Sequence, residues 1–134
     1  MKKRKLLSVV LTILLSCSIL SVFAGSNSFW EPLGSGYWSG SEDVTYATVS
    51  ADTSLDPLPP IVNLYAGVSL TAYYIDFEDN LYFDEVGTYE DYVDYIGIFG
   101  QLKYGYKQFV AAYSSHRGYI NGNEAFQYLN ALQY

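Results

Sequence analysis

Tyrosine is the residue whose number and placement could do chemistry in this chain. There are 15 tyrosines in 134 residues, 13 of them from Tyr65 onward, together with two tryptophans, Trp30 and Trp38. A phenol gives a large, rigid apolar face with a hydroxyl tip, so rings left outside a core stack on sugars or anchor protein partners at small entropic cost. Runs such as Tyr73-Tyr74, Tyr92/Tyr95 and Tyr104/Tyr106 place rings on both faces of strands, and both faces of so small a domain cannot be core. The candidate contact residues are therefore Trp30, Tyr37, Trp38, Tyr73, Tyr92, Tyr95 and Tyr104, and the ligand class is a glycan or a protein.

Carboxylates are the second resource. Eight of the 14 acids lie between Asp76 and Asp94, with no base among them. Asp76, Glu78 and Asp79, beside Asn80, offer the hard oxygens that Ca²⁺ takes, although their spacing matches no defined calcium loop. The other reading of the segment is a solvated acidic face. Like charges so close together predict carboxyl groups held above their usual pKa. For catalysis the inventory is thin. His116 stands next to Ser114, Ser115 and Arg117, but a triad joins residues distant in sequence, and a lone His in a polar stretch reads as a turn residue. No catalytic residue and no cofactor other than Ca²⁺ is assigned, and a non-enzymatic protein is expected.

The elements that must position these residues are read from periodicity. Alternation from Val44 to Val49, from Val68 to Tyr74, at Leu81-Tyr82-Phe83 and from Val93 to Tyr106 predicts strands. Residues 50–60 hold three of the four prolines and read as a loop. Gln108 to Ser115 and Asn123 to Gln133 use helix formers. In the latter, Ala125, Phe126, Leu129 and Leu132 make a helical stripe, and Asn121-Gly122-Asn123-Glu124 reads as its capping signature. The fold expected is α+β, a small antiparallel sheet of four to five strands followed by one or two C-terminal helices. A Gly/Ser-rich aromatic arm over 25–43 precedes a single acidic, Tyr-rich domain over 44–134.

Lys2 to Lys5 form a basic start, Leu6 to Phe23 an apolar run, and Ala24-Gly25-Ser26 a small-residue end, the pattern of a secretory signal peptide over 1–24. Two other readings stay open: an uncleaved anchor over Leu6 to Ala24, and a lipobox at Leu14-Leu15-Ser16-Cys17 that would lipidate Cys17. Removal of residues 1–24 leaves 110 residues without cysteine. Lys103, Lys107 and Arg117 then face all 14 acids, a formal charge of −11. Disulfides and thiolate ligands are excluded from that chain, and so much negative charge disfavours nucleic acid and anionic membranes. The chain expected is secreted or held at the cell surface, with a mature part that does not span the membrane.

The export signal, Trp30 and the stretch Thr45-Tyr46-Ala47-Thr48-Val49 resemble lactococcin-type secreted bacteriocins. The resemblance implies an antagonistic secreted protein as the alternative to a binding module. Those chains are short and cationic, whereas this one carries −11. Mass spectrometry of the exported protein should show Gly25 as its first residue; a diacylglycerol-modified Cys17 at the N-terminus would contradict cleavage after Ala24.

Overall fold

The computed structural model describes residues 25–61 and 63–133, so the segment read as a signal peptide, including Cys17, lies outside the described residues. Eight strands follow in chain order: β1 (Ser26–Leu33), β2 (Gly36–Val44), β3 (Thr48–Asp56), β4 (Leu64–Asp76), β5 (Leu81–Asp91), β6 (Tyr95–Gln101), β7 (Tyr106–Ile120) and β8 (Asn123–Leu132). They form two antiparallel four-stranded sheets, ordered β1-β2-β3-β6 and β5-β4-β7-β8, packed face to face around a shared core. The α+β expectation is wrong: the described residues contain no helix.

The error has a local cause. Asn121-Gly122 is not a helix cap but a two-residue hairpin turn with both residues at positive φ, 47° and 95°, joining β7 to β8. That is the backbone an Asn-Gly pair favours between strands whose twist it matches. The alanines read as helix formers are small because they sit at close contacts. Ala112 is fully buried between the sheets, and Ala111 packs beneath Leu132 and Tyr73 on the far side of its strand. Tertiary packing has overridden propensity. Two smaller corrections follow from the same register. Thr45-Tyr46-Ala47 is the β2–β3 turn, held by Thr45 and Thr48, rather than part of a strand. Residues 50–56 belong to β3, so the loop begins at Pro57, and the stretch expected as an arm forms β1 and β2.

The core is apolar with one polar line through it. Val49, Leu70, Ala72, Ala112 and Ala131 form its main cluster; Trp38, Leu33, Leu55, Ala66 and Ile120 form a second. Between them lie Glu42, Thr53, Ser114 and His116, all closed to solvent. Thr53 Oγ1 donates to the Gly67 carbonyl at 2.9 Å, so His116 Nδ1 must donate to Thr53 Oγ1, also at 2.9 Å. Nε2 lies 2.8 Å from Ser114 Oγ, with which it shares the other hydrogen bond of the ring. Burial pushes the pKa of His116 down to about 4. Burial also pushes Glu42 up to about 8, against a downward pull from Ser114 and with a further push from the charge of Asp43, and neither carboxyl oxygen has a well-formed hydrogen bond. A buried carboxyl without a partner is held protonated because its charged form has lost its water.

These two groups set the pH dependence. Glu42 binds its proton more tightly in the folded chain, so its contribution is complete below the usual 4.5 and is lost as pH rises toward about 8. His116 contributes fully above 6.5 and loses its contribution as pH falls toward about 4. The two oppose each other between 4.5 and 6.5, and above 6.5 only Glu42 remains. Melting temperature should therefore fall between pH 6.5 and about 8, and Glu42→Gln should remove that decline. An unchanged slope in the Gln variant would contradict the assignment.

Candidate functional site

Because side chains alternate along a strand, burying one face of the first sheet exports the other. Its outward residues are Ser26, Ser28, Trp30 and Pro32 on β1, Tyr37, Ser39, Ser41 and Asp43 on β2, Ser50, Asp52, Ser54 and Asp56 on β3, and Tyr95, Gly97 and Phe99 on β6. The pairing aligns them in rows across the sheet: Trp30–Ser39–Ser54–Tyr95, Ser28–Ser41–Asp52–Gly97 and Ser26–Asp43–Ser50–Phe99. The middle of this face is hydroxyl and carboxylate, and both edges are aromatic. At one edge Trp30 stacks on Tyr37, with ring centroids 4.3 Å apart and planes 11° apart. At the other, Tyr95 and Phe99 flank Gly97 across a hollow of about 370 Å³ floored by Ser50, Ala51 and Asp52. The Tyr95 hydroxyl lies 3.1 Å from where a Gly97 Cβ would stand, so the glycine lets the Tyr95 side chain lean over the strand toward Asp52, whose Cβ is 3.6 Å from the same point. Ser41 Oγ donates to Asp52 Oδ2 at 2.7 Å.

Of the seven residues singled out in the sequence, this face unites Trp30, Tyr37 and Tyr95. The rest lie elsewhere. Trp38 is a core residue, 1% exposed against 65% for Trp30, with Phe29 at 4.5 Å between centroids. It has no surface to offer a ligand. Tyr73 packs with Ala111 and Leu132 on the outer face of the second sheet. Tyr92, beyond β5, sets its edge against Tyr65, and Tyr104 stands fully exposed in the β6–β7 loop. Phe99, Asp52, Gly97 and the serine rows were not among the candidates. Their signal was the alternation Ser50, Asp52, Ser54 against Val49, Ala51, Leu55, obscured by the prolines that follow.

Asp76 ends β4, and Glu78 and Asp79 stand in the connection from β4 to β5. Asp76 accepts from the Glu78 and Asn80 amides, from Asn80 Nδ2 at 2.7 Å and from the Tyr82 hydroxyl. Asp79 pairs with Lys107 at 2.9 Å. Among the described residues no group of three or more His, Cys, Asp or Glu is arranged to hold a metal. The expected rise in the carboxyl pKa values is reversed where a shift is resolved. Hydrogen bonds from Asn80 hold Asp76 below the usual range, and the Tyr74 hydroxyl and Lys103 do the same to Asp84.

Two other concavities have their polar groups already engaged. A cavity of about 280 Å³ lined by Tyr74, Val86, Leu102 and Phe109 has Asp84 in its wall, which accepts from Tyr74 at 2.6 Å and pairs with Lys103 at 3.3 Å. On the outer face of the second sheet, a trough floored by Gly67, Ser69 and Ser115 is capped by Arg117, held between Glu90 and Glu124. Ser114, His116 and Glu42 have the residue types of a hydrolytic triad, but all three are enclosed between the sheets and no substrate reaches them. His116 is thus a core strand residue, not a turn residue.

Comparison with protein-family models and with curated proteins gives no match. No helix among the described residues is long and apolar enough to cross a membrane. The division between the two tryptophans is directly measurable. Trp38→Ala should cost about 3–5 kcal/mol of stability, the usual range for emptying a buried Trp site, and Trp30→Ala about 1 kcal/mol or less. Equal losses in chemical denaturation would contradict the placement of Trp38 in the core and Trp30 on the open face.

Proposed function

We propose that this is an exported, non-enzymatic binding module whose ligand is a glycan, held on the outer face of the first sheet. One observation carries the reading: a floor of serine hydroxyls and aspartates bounded by exposed aromatic rings at both edges. A sugar has apolar C–H faces and a rim of hydroxyls. Flat rings such as Trp30 and Tyr95 suit the first, and alternating Ser and Asp acceptors and donors suit the second. Strands hold these side chains more rigidly than loops do, so little ordering entropy opposes binding. The signal-like start of the chain supports work outside the cell, where such ligands are displayed.

A protein ligand would use the same rings but would favour an apolar centre with a polar rim. This face has the reverse arrangement, with its polar residues in the middle. Affinity measured against a panel of soluble oligosaccharides tests the proposal. Binding to at least one member is expected, and Trp30→Ala and Tyr95→Ala should each weaken it about three- to tenfold, the worth of one stacked ring. Retained affinity in both variants, or binding abolished only by changes on the second sheet, would contradict it.

A further inference from the structure

The bases of the described chain are all engaged away from the candidate face. Lys103 pairs with Asp84, Lys107 with Asp79, and Arg117 with Glu90 and Glu124. Asp43, Asp52 and Asp56 on the first sheet have no basic partner among the described residues, so the face presents negative charge that none of the described bases offsets. Their arrangement limits what could offset it. Asp52 and Asp56 are four residues apart on one strand, about 13 Å along it. Asp43 lies diagonally across from Asp52 in the register, at about 7–8 Å between backbones. Carboxylates so spread cannot all three converge on one metal ion. They suit a ligand that carries its cations at intervals along its length.

Resting on the glycan reading of this face, we propose that its ligand is a cationic amino-sugar polymer, a chain of glucosamine units with free ammonium groups. The hollow between Tyr95 and Phe99 holds one unit. Its ammonium group meets Asp52 on the floor of the hollow, beside the Tyr95 and Phe99 rings that line it. An ammonium between a carboxylate and aromatic faces gains from both, and partial removal of water strengthens each. The serine rows that run from β1 to β3 take the neighbouring hydroxyls, and the Trp30/Tyr37 stack receives a unit at the far edge. An oligopeptide of lysines would satisfy the charges but would leave the serine floor and the flat rings without complementary groups.

The test compares glucosamine oligomers with their N-acetylated and glucose counterparts of the same length, and with oligolysine, by calorimetry on the whole protein. The glucosamine oligomer should bind tightest and lose affinity as salt rises, because exposed charges are screened. Asp52→Asn, which keeps the size of the side chain and its acceptor for Ser41, should weaken glucosamine binding about fivefold more than it weakens glucose-oligomer binding. If the acetylated or glucose oligomer binds as tightly and Asp52→Asn affects all sugars alike, the cationic specificity is wrong while the glycan face stands. Equal binding of oligolysine would overturn the amino-sugar assignment in favour of simple charge. Failure of every sugar to bind would overturn the glycan reading itself.

Discussion

Trp38 is closed in by Phe29, by Leu33 and by the bare backbone of Gly118, where an added Cβ would lie 2.7 Å from the indole. Burying a side chain of that size removes on the order of 200 Å² of surface from water, worth about 5 kcal/mol. That outweighs the cost of about 1–3 kcal/mol for its Nε1, which has no hydrogen-bond partner. The contact fixes which face of β2 points inward. A one-residue slip would carry Trp38 to solvent and bring Tyr37, Ser39, Ser41 and Asp43 into the core, so the register is strongly specified. The outer face of the first sheet, with its serines, aspartates and bordering rings, is what this one choice leaves outside.

The same constraint explains the interior. With Trp38 and Gly40 inward on β2, Glu42 must be inward too, because it shares their parity. Gly40 has no side chain because Phe29 and the His116 ring occupy the space a Cβ would fill, at 2.4 and 2.7 Å. The result is a neutral line from Glu42 through Ser114 and His116 to Thr53, satisfied along most of its length and costly at the carboxyl end. In the first sheet, the apolar inner face and the Ser- and Asp-rich outer face are also the reverse of a membrane barrel, which turns apolar residues outward and polar ones in.

Legibility in the sequence followed the strength of the two-residue period. The face of β6 was readable, since Ile96 and Ile98 alternate with Tyr95, Gly97 and Phe99 as the structure has them. The C-terminal strands were not, because β8 is covered on both sides near its end. Leu129 and Ala131 are buried with one face, Asn130 and Leu132 with the other, and so the alternation is lost. Asn121-Gly122 carried the decisive hairpin signal, but the helix-forming residues on either side masked it. At the site, ring type marked Trp30, Tyr37 and Tyr95, but type alone cannot separate Trp30 from Trp38, which differ only in strand and parity. The acids misled in the opposite sense. Asp76 is lowered by turn hydrogen bonds that depend on the folded loop, and no count of neighbouring charges reveals them.

The central claim is that one face of one sheet is the binding surface. Backbone and aromatic-ring NMR signals followed during titration with a bound oligosaccharide test it most directly. The account predicts shifts confined to Trp30, Tyr37, Ser39, Ser41, the outward residues of β3, and Tyr95 to Phe99, with Trp38 and the rings of the second sheet unmoved. Shifts centred instead on Tyr65, Phe126 and Tyr128, the rings on the opposite side of the sandwich, would contradict it.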